Sequence, residues 1–102
     1  MKVTVTEYNN YCLFCGKPTE AKHHLIYGKN RTMAEEDGLK IPVCNNCHNM
    51  GDILNRIHEN PMAEIMSKII GQLAWEKAAV ANGISEADAR ESFRLRYKES
   101  YL

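Results

Sequence analysis

Two short runs decide how this chain is read: Cys12-Leu13-Phe14-Cys15 and, after a 28-residue insert, Cys44-Asn45-Asn46-Cys47-His48. They contain all four cysteines of the sequence. Each pair sets two thiolates on one tight turn, and Gly16, directly after Cys15, suits a knuckle turn that needs positive φ. Tetrahedral zinc takes four ligands, and two Cys-x-x-Cys knuckles supply them. Two disulfides would suit a secreted chain, and redox Cys-x-x-Cys motifs rarely come in pairs. The spacing therefore predicts one structural zinc held by Cys12, Cys15, Cys44 and Cys47. Such a zinc would tie the N-terminal part to mid-chain and staple a modest core.

The chain has 102 residues, the size of one ordinary domain, read here as a single unit over 1–102. With 44% apolar and 25% charged residues it has the composition of a folded protein. No apolar run reaches the ~18 residues of a membrane span, and Met1–Val5 lacks the apolar stretch of a secretory signal. The expectation is a soluble, cytoplasmic protein with no membrane partner. Basic and acidic residues balance at 13 each, and also within residues 1–60 and 61–102. Net charge thus gives no argument for nucleic acid, and any such argument must come from a site.

Outward from the knuckles, Val3–Glu7 alternates like a short strand. Lys22–Tyr27 and Leu39–Val43 read as two more strands, Pro42 confining the latter to an edge or a strand end. Together they predict a hairpin whose long loop runs from Gly28 to Gly38. After Cys47, the spacing of Met50, Ile53, Leu54 and Ile57 is helical. Asn60 as N-cap and Pro61 at the first helical position start a second helix. Its residues Met62, Ile65, Met66, Ile69, Leu73 and Val80 predict one broad core-facing stripe, with Trp75 also in the core. Asn82-Gly83 closes that helix, and Ser85 with Asp88 caps a last one running to about Glu99, with Phe93 and Tyr97 inward.

All four histidines fall between residues 23 and 58. A zinc at the knuckles fixes Cys47 and hence His48, and the hairpin brings His23 and His24 back towards Cys44. Neutral imidazole is both a metal ligand and a base with a reference pKa of about 6.5. Adjacent strand residues point to opposite faces, so His23 and His24 share a site only if the strand ends or kinks there.

The set Cys12-x-x-Cys15, His23-His24-Leu25-Ile26, Asp37-Gly38-Leu39 and Cys44-x-x-Cys47-His48 resembles the HNH endonucleases, the ββα-metal family, in the compact zinc-stapled form of phages and prophages. The resemblance covers residues 12–58. It implies an α+β fold: a zinc-stapled ββα-metal core over 12–58 with two additional C-terminal helices, the 61–99 extension. It further implies that His23 and His48 bind one catalytic divalent metal (Mg²⁺, Mn²⁺, Ni²⁺ or Zn²⁺) and that His24 is the general base. The expected reaction is metal-dependent hydrolysis of DNA phosphodiester bonds, leaving 5′-phosphate and 3′-hydroxyl.

A third metal ligand is either Asp52, four residues after His48 on the same helical face, or His58. In an unbroken helix His58 would lie about 15 Å from His48, so it ligates only if residues 49–55 loop out, which Gly51 permits. Its setting, Ile57-His58 before Asn60-Pro61, resembles a downstream histidine of related phage nucleases, and His58 is preferred. The family's middle Asn is missing: Gly38 precedes Leu39, leaving Asp37 or Asn30 as substitutes. Lys29 and Arg31, on the long loop, are the candidates for phosphate contact. Arg90, Arg94 and Lys98 read as a solvated stripe.

The implied partner is DNA, with a homodimer or a phage partner protein as further candidates, in a bacterial cytoplasm. The competing reading is a non-catalytic zinc-bound module for nucleic acid or protein on the same scaffold. A second bound metal per chain would favour the enzyme.

Overall fold

The computed structural model describes all 102 residues. It is an α+β fold with one two-stranded antiparallel sheet, β1 (Ala21–His24) and β2 (Lys40–Val43), and three α-helices: α1 (Arg31–Asp37), α2 (Pro61–Ala81) and α3 (Glu86–Tyr97). The register sets Ala21 opposite Val43 and His24 opposite Lys40. The first knuckle docks on β2: Leu13 N–H donates to Pro42 O at 3.0 Å and Glu20 N–H to Val43 O at 2.9 Å. Gly16 has φ 78°, as the knuckle turn requires. No helix is long and apolar enough to cross a membrane.

β1 stops at His24, and four consecutive residues from His23 to Ile26 are buried across the strand end. α2 lies across this strand end. A Cβ on Gly71 would stand 3.1 Å from both Leu25 Cβ and Ile26 Cγ1, so the approach depends on glycine.

The structure departs from the sequence reading in four places. Val3–Glu7 is not a strand: buried Val3 donates its N–H to Asp37 O at 2.7 Å, anchoring the segment to the end of α1. The 28–38 loop contains α1, which ends at Gly38 (φ 76°) with a left-handed cap whose N–H returns to Ala34 O and Glu35 O. The helix expected after Cys47 is only one wide turn, Asn46–Met50. The turn ends where Gly51 goes extended (φ −83°, ψ −173°), a position that needs glycine because a Cβ there would fall 2.5 Å from Asn46 O. Met50, Ile53 and Leu54 are consequently exposed, and only Ile57 is buried.

The fourth departure concerns α2. Its start is as expected, with Asn60 Oδ1 accepting from Ala63 N–H at 3.4 Å and Pro61 in the first turn. Its orientation is not. Met62 (71% exposed), Ile65, Met66, Leu73 and Val80 face outward, while Ser67, Gly71, Trp75 and Ala79 are buried. Small residues let the helix approach β1 closely. The buried polar pair Gln72 and Glu76 is satisfied by Ser100, the Tyr101 backbone and Arg90.

α3 begins with Ser85 Oγ accepting from Asp88 N–H at 3.0 Å and ends at Tyr97, where Lys98 turns left-handed (φ 62°). Phe93 and Tyr97 are fully buried. Buried Asp37 joins all three helices, accepting from Trp75 Nε1, from Arg96 and from the Tyr97 hydroxyl at 2.6 Å.

Candidate functional site

Two clusters of ligand atoms stand near the hairpin. Cys12, Cys15, Cys44 and Cys47 bring their Sγ atoms within 4.8 Å of one another, with Cys15 and Cys44 at 3.6 Å. All four thiols are free. Four sulfurs about 2.3 Å from a tetrahedral ion lie about 3.8 Å apart, so the set fits zinc. Burial pushes the Cys12 thiol up, but N–H donors from Cys44, Cys15 and Phe14 outweigh it and bring the group down to about 6. Cys47 is pushed up by burial and then by its three sulfur neighbours. One thiolate is thus welcomed and the last is opposed, a conflict that a dication relieves. The cluster could hold a metal ion such as zinc.

The second cluster is His23, His48 and His58. His48 comes from the turn after Cys47. His58 reaches it because the chain loops out at 51–56 and returns: Ile57 N–H donates to Cys47 O at 2.9 Å and His58 N–H to His48 O at 3.1 Å. Arg56 pins the loop, donating to Gly51 O and His58 O. The Nε2 atoms of His48 and His58 lie 3.0 Å apart, and the His23 ring centre is 5.1 Å from both rings. Two imidazoles on one tetrahedral ion at about 2.0–2.1 Å place their nitrogens roughly 3.3 Å apart. Asp52 is exposed and outside the cluster, so the loop-out selects His58.

His23 gives a sharper test of fit. Its Nε2 lies 2.8 Å from Ser67 Oγ, and Ser67 Oγ donates its single hydrogen to Leu25 O, also at 2.8 Å. Ser67 must then accept from His23 Nε2–H, which leaves Nδ1 unprotonated. That Nδ1 is buried with no hydrogen-bond partner. A buried lone pair without a donor, 1% exposed and beside two other imidazoles, is what a metal ligand presents. Burial, then His48 and His58, pull the His23 pKa down to about 3, keeping the ring neutral and able to ligate. His48 is lowered by burial and then by His58 and His24.

His24 points elsewhere but lines the same cleft, of about 210 Å³, as His23, His48 and His58. Its Nε2 lies 3.4 Å from Glu35 Oε1, and Glu35 Oε2 is 2.6 Å from Lys40 Nζ. Burial lowers the His24 pKa, against the opposing pull of Glu35. The two candidates for the missing Asn are engaged otherwise: Asp37 holds the three helices, and Asn30 Nδ2 donates to Tyr97 O and Glu99. Of the proposed phosphate contacts, Arg31 lines the cleft. Lys29, in the turn before α1, does not; its Nζ lies 3.9 Å from Glu99 Oε1. Arg94 pairs with exposed Glu91, as a solvated stripe would, but Arg90 does not belong to that stripe: it turns back onto α2 to pair with the buried Glu76 at 2.8 Å.

Sequence reasoning missed Ser67, Glu35 and Lys22, the last of which also lines the cleft. Lys22, next to the histidine pair, had a signal in the strand pattern. Ser67 and Glu35 had none, since both act across 11 to 44 residues of sequence. No protein-family model, curated protein or solved structure matches this chain.

Proposed function

We propose that the protein is a metal-dependent DNA endonuclease of the HNH type, with a structural zinc on its four cysteines. One observation carries this reading: His23, His48 and His58 converge on a common point, with an orphaned His23 Nδ1, in a cleft that also holds His24. His23, His48 and His58 would hold a divalent cation, which would supply charge stabilisation for phosphodiester cleavage.

The chain's own groups do the rest. Ser67 holds His23 in the tautomer that offers Nδ1. Glu35 occupies His24 Nε2, leaving Nδ1 as the nitrogen that takes a proton from the attacking water. The lowered pKa keeps His24 in its basic form at neutral pH. Arg31, at the cleft edge, pairs with phosphate charge. Glu35 takes over the orienting duty that the family gives to the missing Asn.

The test is cleavage of supercoiled plasmid with Mg²⁺, Mn²⁺, Ni²⁺ or Zn²⁺, alongside a metal count. Wild type should nick the plasmid and bind two metals per chain, and His24→Ala should lose about 10²–10⁴-fold in rate with both metals retained. A folded wild type that cuts no plasmid, branched or single-stranded DNA with any metal refutes the enzyme. One observation favours the runner-up, a non-catalytic zinc-bound nucleic-acid- or protein-binding module: neither Asp37 nor Asn30 substitutes for the absent Asn. That reading expects one tightly bound zinc and no cleavage.

A further inference from the structure

The histidine cleft opens beside a second one, of about 300 Å³, between residues 2–6 and the strand pair, and Lys22 lines both. Lys2, Lys22 and Lys40 line the second cleft with Thr4, Thr6 and Asn9. No carboxylate lines either cleft, on a chain with 13 acidic residues. The strand register explains the concentration. Lys22 and His24 are two apart on β1 and so share a face, and Lys40 is directly opposite His24 on β2. Arg31, which lines the histidine cleft with Lys22, adds a fourth cation.

The charge here is available. Arg56, Arg90, Arg94 and Arg96 each pair with a carboxylate, whereas Arg31 is the one arginine with no ion pair. Lys22 also has none. Lys2 donates to the carbonyls of Glu35 and Glu36 at 3.3 Å, which uses its hydrogens and leaves its charge uncompensated. Only Lys40 is paired, with Glu35. Four cations therefore face one carboxylate on a molecule that is neutral as a whole.

We infer that these joined clefts are a nucleic-acid backbone track: one strand leaves the histidine cleft past Arg31 and Lys22 and runs along the Lys2–Lys40 groove, its phosphates meeting these cations. The track supplies the local affinity that the neutral net charge withholds. It rests on the nuclease reading for its direction, but not for its existence.

The test is fluorescence-anisotropy binding of a labelled DNA duplex by the full-length zinc-loaded chain over a salt series, with plasmid cleavage in parallel. Lys22→Gln removes a cation, and Thr4→Glu puts a carboxylate at an exposed position in the second cleft. Lys77→Gln, exposed on α2, is the control. Lys22→Gln should flatten the dependence of log K on log salt by about 0.9, one phosphate contact, and Thr4→Glu should weaken binding at every salt concentration. Lys77→Gln should match wild type. If wild type binds and cuts while both cleft variants behave like it, the track is overturned and the nuclease stands. If wild type cuts nothing but the variants still weaken binding, the track stands and the nuclease falls. A wild type that binds no DNA at low salt overturns the track.

Discussion

The four thiols come from two pairs, each pair on one turn, whereas the three imidazoles come from the end of β1, the turn after Cys47 and the chain beyond Gly51. The first cluster needs only that two short turns meet. The second needs a strand to stop at His24, a helix to break at Gly51, and α2 to bring Ser67 against His23. With a metal bound, the cysteine cluster would staple two local turns together, whereas the histidine cluster exists only once the distant segments have met.

The largest expected effect tests that division directly. Cys44→Ser should abolish cooperative thermal unfolding, because structural zinc in small domains contributes roughly 10–16 kcal/mol of apparent binding energy to folding. His48→Ala should keep a wild-type-like melt by circular dichroism while losing one metal per chain. Equal melting of the two variants would erase the distinction.

Next in size is Ser67→Ala. Removing the group that sets the His23 tautomer should weaken metal binding at the histidines about 10–100-fold, with the cysteine metal undisturbed. An unchanged affinity in a competition titration would reduce Ser67 to a packing residue.

The smallest effect lies away from both clusters, in the packing of the helices. Burial, and then the neighbouring Asp37, push the Tyr97 phenol well up, and burial with Glu99 takes Tyr101 up to about 12. Below pH 10 folded and unfolded chains are both protonated, so these groups add no pH dependence. Above it the unfolded chain releases its protons first, and stability falls as pH rises towards the folded values. Each phenol contributes at most about 1.4 kcal/mol per pH unit. Urea midpoints measured from pH 9 to 11 should fall, and Tyr97→Phe should shallow the fall. An alkaline limb identical in that variant would remove Tyr97 from the account.

Much of this was legible in residue order. The knuckles, the caps Asn60 and Ser85, the pairing of 22–24 with 40–42, and the four histidines all have local signatures, and local signatures survive into the fold. The face of α2 did not survive. Met62, Ile65, Met66, Ile69, Leu73 and Val80 have core-like spacing, yet the helix turns Ser67, Gly71, Trp75 and Ala79 inward. Periodicity says that a face exists but not which neighbour will take it, and close approach to Leu25 and Ile26 favours small residues over large ones. α1 was hidden for a related reason: seven residues make too few turns to show a period.

The sequence by itself determined that four thiolates and a row of histidines would gather around one hairpin, because each signal sits within a few residues of its neighbours. Only the tertiary structure decided that His58 rather than Asp52 joins His48, that Ser67 meets His23 Nε2 and leaves Nδ1 buried, and that Glu35 stands beside His24 Nε2. Those choices depend on the turn ending at Gly51 and on how closely α2 lies on β1, and steric fit between distant segments has no period in the chain.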